Sequence, residues 1–122
     1  MSSIVCTLYE KHYDTGVAAL INSLINRGFE GKIAIGYRGS LPYWLNQLSH
    51  SDGKYFVGSP ACEVVFHELD TDWHFTYYKP FYMTDLLAMY PETERIYYFD
   101  PDICNKCPWS FYERWVEAGI AM

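Results

Sequence analysis

Two apolar runs separated by a helical spacing constrain this chain more than any other feature. Ile4 to Tyr9 is short, apolar and β-branched, and reads as a strand. Val17, Leu20, Ile21, Leu24 and Ile25 then recur at helical spacing. Asp14 or Thr15 is the expected N-cap, and Gly28 is the expected stop. Lys32-Ile-Ala-Ile-Gly-Tyr37 reads as a second strand. A strand, a helix and a strand within about 35 residues predict a parallel pair with a right-handed crossover.

The rest of the chain repeats that alternation. Tyr43 to Leu48 reads as one short helix. Ser49 to Ser59 is polar and Gly-rich, and reads as a loop around a possible short strand at Tyr55-Phe56-Val57. Cys62 to Leu69 is the third strand and Asp70 to His74 a loop. Phe75 to Tyr90 reads as a helix, with Pro80 in its first turn and Tyr82, Leu86, Leu87 and Tyr90 as its apolar stripe. Arg95 to Phe99 is the fourth strand, and Trp109 to Ala118 a final helix. The pattern predicts an α/β fold with an open, mostly parallel sheet and flanking helices.

Length and composition fit one domain of this kind. The 122 residues are half apolar and 19% aromatic, which is enough for a core and too much for disorder. Twelve tyrosines and four tryptophans place some rings at half-wet positions, in a ligand cleft or a subunit contact. The formal charge of −6 and the lack of clustered Lys/Arg argue against nucleic acid. No apolar run approaches the ~18 residues of a membrane span, and the start lacks a basic leader. The expected location is therefore cytoplasmic, with four free thiols. Glu117 to Met122 reads as another strand beginning, so residues 1–122 are expected to form a single domain that is incomplete at its C-terminus.

The richest local signal is Arg95-Ile-Tyr-Tyr-Phe-Asp100-Pro-Asp102-Ile103. An aromatic strand ends in two carboxylates one residue apart. Positions i and i+2 of an extended chain project to the same side, and Pro101 stiffens the link. Paired hard oxygens suit Mn²⁺ or Mg²⁺. The carboxyl edge of an open α/β sheet is also where ligands bind.

A strand ending in Asp-x-Asp after three strand–helix steps resembles the nucleotide-sugar-binding half of A-type-fold glycosyltransferases. The resemblance rests on the opening strand Ile4–Tyr9, the helix from Gly16, the Tyr-Lys79-Pro-Phe segment and Tyr98-Phe-Asp-Pro-Asp-Ile103. It implies that Asp100 and Asp102 hold the metal ion against a donor diphosphate. It also implies that Thr7, Leu8 and Tyr9 line a nucleobase pocket and that Lys79 reaches the donor phosphate or sugar. Arg38, at the end of the second strand, is a further candidate contact to phosphate or ribose. The chemistry needs such groups, because a departing nucleoside diphosphate develops negative charge. Thr7, Tyr9, Arg38 and Asp100 should then gather along one sheet edge. The family's second half normally supplies the acceptor site and often another metal ligand. A chain lacking it should expose apolar surface around Tyr97, Trp109, Phe111, Trp115 and Ile120, and associate as a homo-oligomer through its C-terminal region.

Other readings were weighed on the same residues. One is a non-catalytic α/β module that binds a nucleotide or a protein partner. A haloacid-dehalogenase-type phosphotransferase also uses Asp-x-Asp, but at the start of its domain and with Thr or Val where Cys104 stands here. Cys104 and Cys107 have zinc or redox spacing without a second pair. His12, His50, His67 and His74 are scattered. Glu63, Glu68, Asp70 and Asp72 read as a solvated acidic patch.

Overall fold

A computed structural model describes residues 3–10, 13–47, 49–51, 54–57 and 59–100. The elements are β1 (Ser3–Glu10), α1 (Asp14–Asn26), β2 (Gly31–Arg38), a 3-10 turn (Tyr43–Gln47), β3 (Ser49–Ser51), β4 (Lys54–Val57), β5 (Ser59–Glu68), α2 (Phe75–Met89) and β6 (Arg95–Tyr98). The fold is α/β, as the alternation predicts. Asp102, the helix expected at 109–118 and the Cys104/Cys107 pair lie outside the described residues.

The six strands form one open sheet in the order β3-β4-β5-β2-β1-β6. β1 pairs in parallel with β2 and β6, and β2 in parallel with β5. β3 and β4 add an antiparallel hairpin at one margin. The sheet is therefore mixed at that margin and parallel elsewhere. The segment expected to be a loop from Ser49 to Ser59 is instead this hairpin and the start of β5. Its polar residues suit a marginal strand, where one face and one edge meet water. The pattern of continuous apolar runs that marks buried strands misses it.

β1 is buried from Ser3 to Tyr9, because helices cover both its faces. On one face, α1 packs Val17, Leu20, Ile21 and Leu24 against Val5, Tyr9, Ile33, Ile35 and Val64. On the other, α2 packs Tyr82 and Leu86 against Ile4, Cys6, Leu8, Ala34 and Val65. From β1 the chain moves to β2 and β5 on one side. It then returns through α2 to lay β6 on the other side of β1. Crossovers of one hand running in opposite directions place their helices on opposite faces, as seen here.

The helix ends follow local chemistry, with two departures from expectation. α1 starts at Asp14, but the capping position is Tyr13 and carries no side-chain cap bond. Neither Asp14 nor Thr15 is the N-cap. The C-terminus behaves as expected. Gly28 adopts a φ of 91°, its N–H donates to Ile25 O, and the Phe29 N–H donates to Leu24 O at 3.0 Å. This is a Schellman closure, and Phe29 and Leu24 share the same apolar cluster. In α2, Pro80 lies in the second turn rather than the first, since the helix begins at Phe75. Of the expected stripe, Tyr82 and Leu86 are buried and Tyr90 half-buried, whereas Leu87 is exposed.

α2 approaches the sheet closely over β2. A Cβ added at Gly36 would lie 2.7 Å from Leu8 Cδ2 and 3.0 Å from Tyr82 Cζ. Both neighbours are buried and neither has room to retreat. Gly36→Ala should therefore destabilise the chain by about 1–3 kcal/mol. Chemical denaturation should show a lower midpoint with an unchanged slope. A midpoint equal to that of the wild type would contradict this packing.

Candidate functional site

In an open parallel sheet, ligands bind where the strand order reverses, at the carboxyl ends. Here the reversal lies between β1 and β6. The pairing of Cys6 with Tyr98, extended by the Phe99 N–H donating to Cys6 O at 3.2 Å, brings Asp100 level with the end of β1. Lys79, from the second turn of α2, reaches the same place. Its Nζ lies 3.2 Å from Asp100 Oδ1 and 4.8 Å from the Tyr98 ring centroid. Two residues separated by 20 positions in the sequence thus form one ion pair at the reversal point. Both side chains remain partly open to water, so the pair adds at most about 1 kcal/mol to stability. Burial, followed by the Asp100 charge, pushes the Tyr98 phenol well above its ordinary pKa, so it stays protonated.

The other candidates occupy different surroundings. Thr7, Leu8 and Tyr9 are all buried, within the sheet and its two apolar clusters. The Tyr9 hydroxyl donates to Ser40 O at 3.1 Å, and its ring stacks on Tyr37 at 6.2 Å. These side chains build the floor beneath the edge, and what they offer a ligand runs through the backbone at the end of β1. Arg38 stands at the same edge, at the end of β2. Its guanidinium pairs with Glu10 and donates to Thr71 O at 2.7 Å and Trp73 O at 3.0 Å. It also lies 4.3 Å over the Phe75 ring. Arg38 therefore ties the end of β1 to the loop that starts α2.

The metal question turns on donor chemistry. Asp100 is a hard, accessible oxygen donor at the reversal point. Its intended partner, Asp102, lies outside the described residues. Among the described residues, no cluster of three or more His, Cys, Asp or Glu could hold a metal ion. Cys6 and Cys62 are free and buried. Burial pushes the Cys6 thiol up to about 12, and burial with the Glu63 charge pushes Cys62 up to about 11, so neither is a thiolate near neutrality. Of the acidic patch, Glu63 pairs with Lys32 at 2.7 Å and Glu68 accepts from the Tyr37 hydroxyl at 3.4 Å, while Asp70 and Asp72 are exposed.

Sequence reasoning missed one feature of this edge. Trp73, His74, Tyr77 and Phe81 line an open groove beside the first turns of α2. The spacing Trp73, Tyr77, Phe81 is i, i+4, i+8, so the stripe was visible in the sequence to a reader who looked away from the core-facing positions. In comparisons with protein-family models, curated proteins and solved structures, no match to the chain is found. No helix among the described residues is long and apolar enough to cross a membrane.

His67 adds a pH dependence. It lies on β5 between Tyr82 and Tyr90, with ring centroids at 6.3 and 6.4 Å. Its Nε2 is buried without a hydrogen-bond partner among the described residues. Burial, then the nearby Lys32 charge, holds its pKa below the ordinary 6.5. The unfolded chain then binds the proton more readily than the folded one. Stability is fully present above pH 6.5 and falls as the pH drops below it, towards the folded-state value. His67→Phe should flatten the stability profile between pH 7 and about 5.5, before the carboxylates titrate. An identical slope in wild type and variant would contradict this assignment.

Proposed function

We propose that this chain is the donor-binding half of a glycosyltransferase that uses a nucleoside-diphosphate sugar and a divalent cation. The observation that carries the reading is the Lys79–Asp100 pair at the reversal of strand order. A cation on a helix start and a carboxylate on a strand end face one crevice. The Lys79 ammonium is a point charge suited to a phosphate oxygen, and the N-terminus of α2 favours an anion in the same region. Asp100 is suited to orient a hard cation or a sugar hydroxyl. A bound Mn²⁺ or Mg²⁺ would neutralise the diphosphate as it leaves, with Asp100 and Asp102 as its protein ligands. The backbone at the end of β1, next to Asp100, is the surface open to the nucleobase or ribose.

Charge supplies the selectivity in this reading. The protein is acidic overall, so an anionic donor is attracted only where a positive group is focused. The Arg38 guanidinium is already paired with Glu10 and the 71–73 backbone. Lys79 remains, and its partner Asp100 exchanges it for a metal ion when a diphosphate arrives.

Calorimetric titration with UDP, GDP and their sugars, with and without Mn²⁺, tests this reading. One nucleotide should bind, and Mn²⁺ should strengthen it. Asp100→Ala and Lys79→Ala should each weaken binding by about ten- to a hundredfold, the equivalent of roughly 1.5–3 kcal/mol for one charged contact. Both side chains are partly open to water, so the far-ultraviolet circular dichroism should not change. Equal affinity in wild type and variants would contradict the proposal. Binding without metal dependence or turnover would favour a non-catalytic nucleotide-binding module.

A further inference from the structure

We infer that the aromatic groove at the start of α2 is a subsite for a neutral saccharide. The inference rests on the glycosyltransferase reading, because it names the class of acceptor that such an enzyme would take. Trp73, Tyr77 and Phe81 are 53%, 71% and 52% exposed, which is unusual for three large rings in one place. With His74 they line a groove of about 540 Å³, within the range of small-ligand sites. The rings stand at steep angles to one another. Trp73 and Phe81 meet at 80° with centroids 5.1 Å apart, and His74 and Tyr77 at 72° and 6.4 Å. The walls therefore present ring faces as well as edges.

Charge balance decides the occupant. Asp70 and Asp72 are exposed in the same loop and make no ion pair among the described residues. Alone, they would favour an ammonium ligand over the ring faces. Arg38, however, is held on the carbonyls of Thr71 and Trp73, and the positive end of α2 opens beside them. The two signs offset each other, so the groove has no strong preference for a formal charge. It offers aromatic faces together with carboxylates and an imidazole. A pyranose matches both, with an apolar C–H face and a rim of hydroxyls. A second copy of the chain is a poorer fit, since four side chains fall well short of the about 800 Å² per partner that a stable dimer needs.

The position suits an extended acceptor. Trp73 and His74 belong to the loop at the carboxyl end of β5, on the edge that carries Lys79 and Asp100. Tyr77 and Phe81 are each two residues from Lys79, about 200° round the helix from it. The groove and the ion pair thus flank the N-terminal turns of α2. A sugar chain that passes over this helix start would meet both.

Proton–nitrogen spectra of the full ¹⁵N-labelled chain test the inference, with the Trp73 indole N–H identified by its loss in Trp73→Phe. The probes are maltotriose, cellotriose and chitotriose as neutral saccharides, and tetramethylammonium as a cation of similar reach. At least one trisaccharide should shift the Trp73 indole signal saturably, with a Kd in the low millimolar range. Tyr77→Ala and Phe81→Ala should each weaken that binding at least about tenfold, while Lys79→Ala leaves it unchanged. UDP binding, measured separately, should be indifferent to Tyr77→Ala. No saturable shift with any of the three sugars up to about 50 mM, an affinity below the weakest useful subsite, would overturn the inference. A response to tetramethylammonium alone would overturn it in favour of a cation site. Saccharide binding that persists in a chain unable to bind any nucleotide would uphold the subsite and defeat the glycosyltransferase reading.

Discussion

The arrangement of the carboxyl edge depends on how α2 packs against the sheet. Tyr82 and Leu86 set into the surface made by Cys6, Leu8 and Ala34, where Gly36 leaves the space that a side chain would fill. That contact carries the chain back across β2 and β1 and lays β6 on the far side of β1. Lys79 precedes Tyr82 by three residues on the same helix, so the ammonium takes its position from a buried ring. Asp100 follows β6 directly and takes its position from the β1–β6 ladder. The ion pair is thus the meeting of two rigid elements, as a site that must hold charges at fixed separation requires.

Arg38 shows how the same edge is built from within. A guanidinium at the end of a strand looks like a phosphate ligand in a sequence. In the folded chain it joins the carboxylate of Glu10 to the carbonyls of Thr71 and Trp73 and stacks over Phe75. Planar donors in a fixed fork suit this bridging better than the single point charge of a lysine. Its effect on a ligand is indirect: it holds the loop that starts α2, and with it the aromatic groove on one flank and Lys79 on the other.

The elements were legible in the sequence, and their spatial order was not. Continuous apolar runs mark β1 and β2 because each is buried on both faces, and helical spacing marks α1. Nothing in a linear pattern says that the fourth parallel strand pairs with the first, because that depends on which way α2 crosses. The β3–β4 hairpin was hidden by its polarity, which its marginal place in the sheet permits. Tyr13 at the start of α1 carries no capping side chain, so rules built on Asp and Thr mislead there. For the site, sequence reasoning named Lys79 and Asp100 separately, and their 3.2 Å separation emerges only from the fold. Thr7, Leu8 and Tyr9 were singled out by position along β1, where burial assigns their side chains to the core. The exposed ring of Tyr77 was passed over because aromatic residues in a helix read first as core.

The account stands or falls on whether a metal–diphosphate complex sits at the reversal of strand order. Paramagnetic Mn²⁺ broadens the amide signals of residues near it, so a titration with UDP present reads the location directly. The account predicts that signals from Leu8, Tyr9, Lys79 and Asp100 broaden first. Signals from Ser3, Gly31 and Arg95, at the opposite ends of the same strands, should persist. Broadening centred on the amino ends of the strands, or on the β3–β4 hairpin, would contradict it.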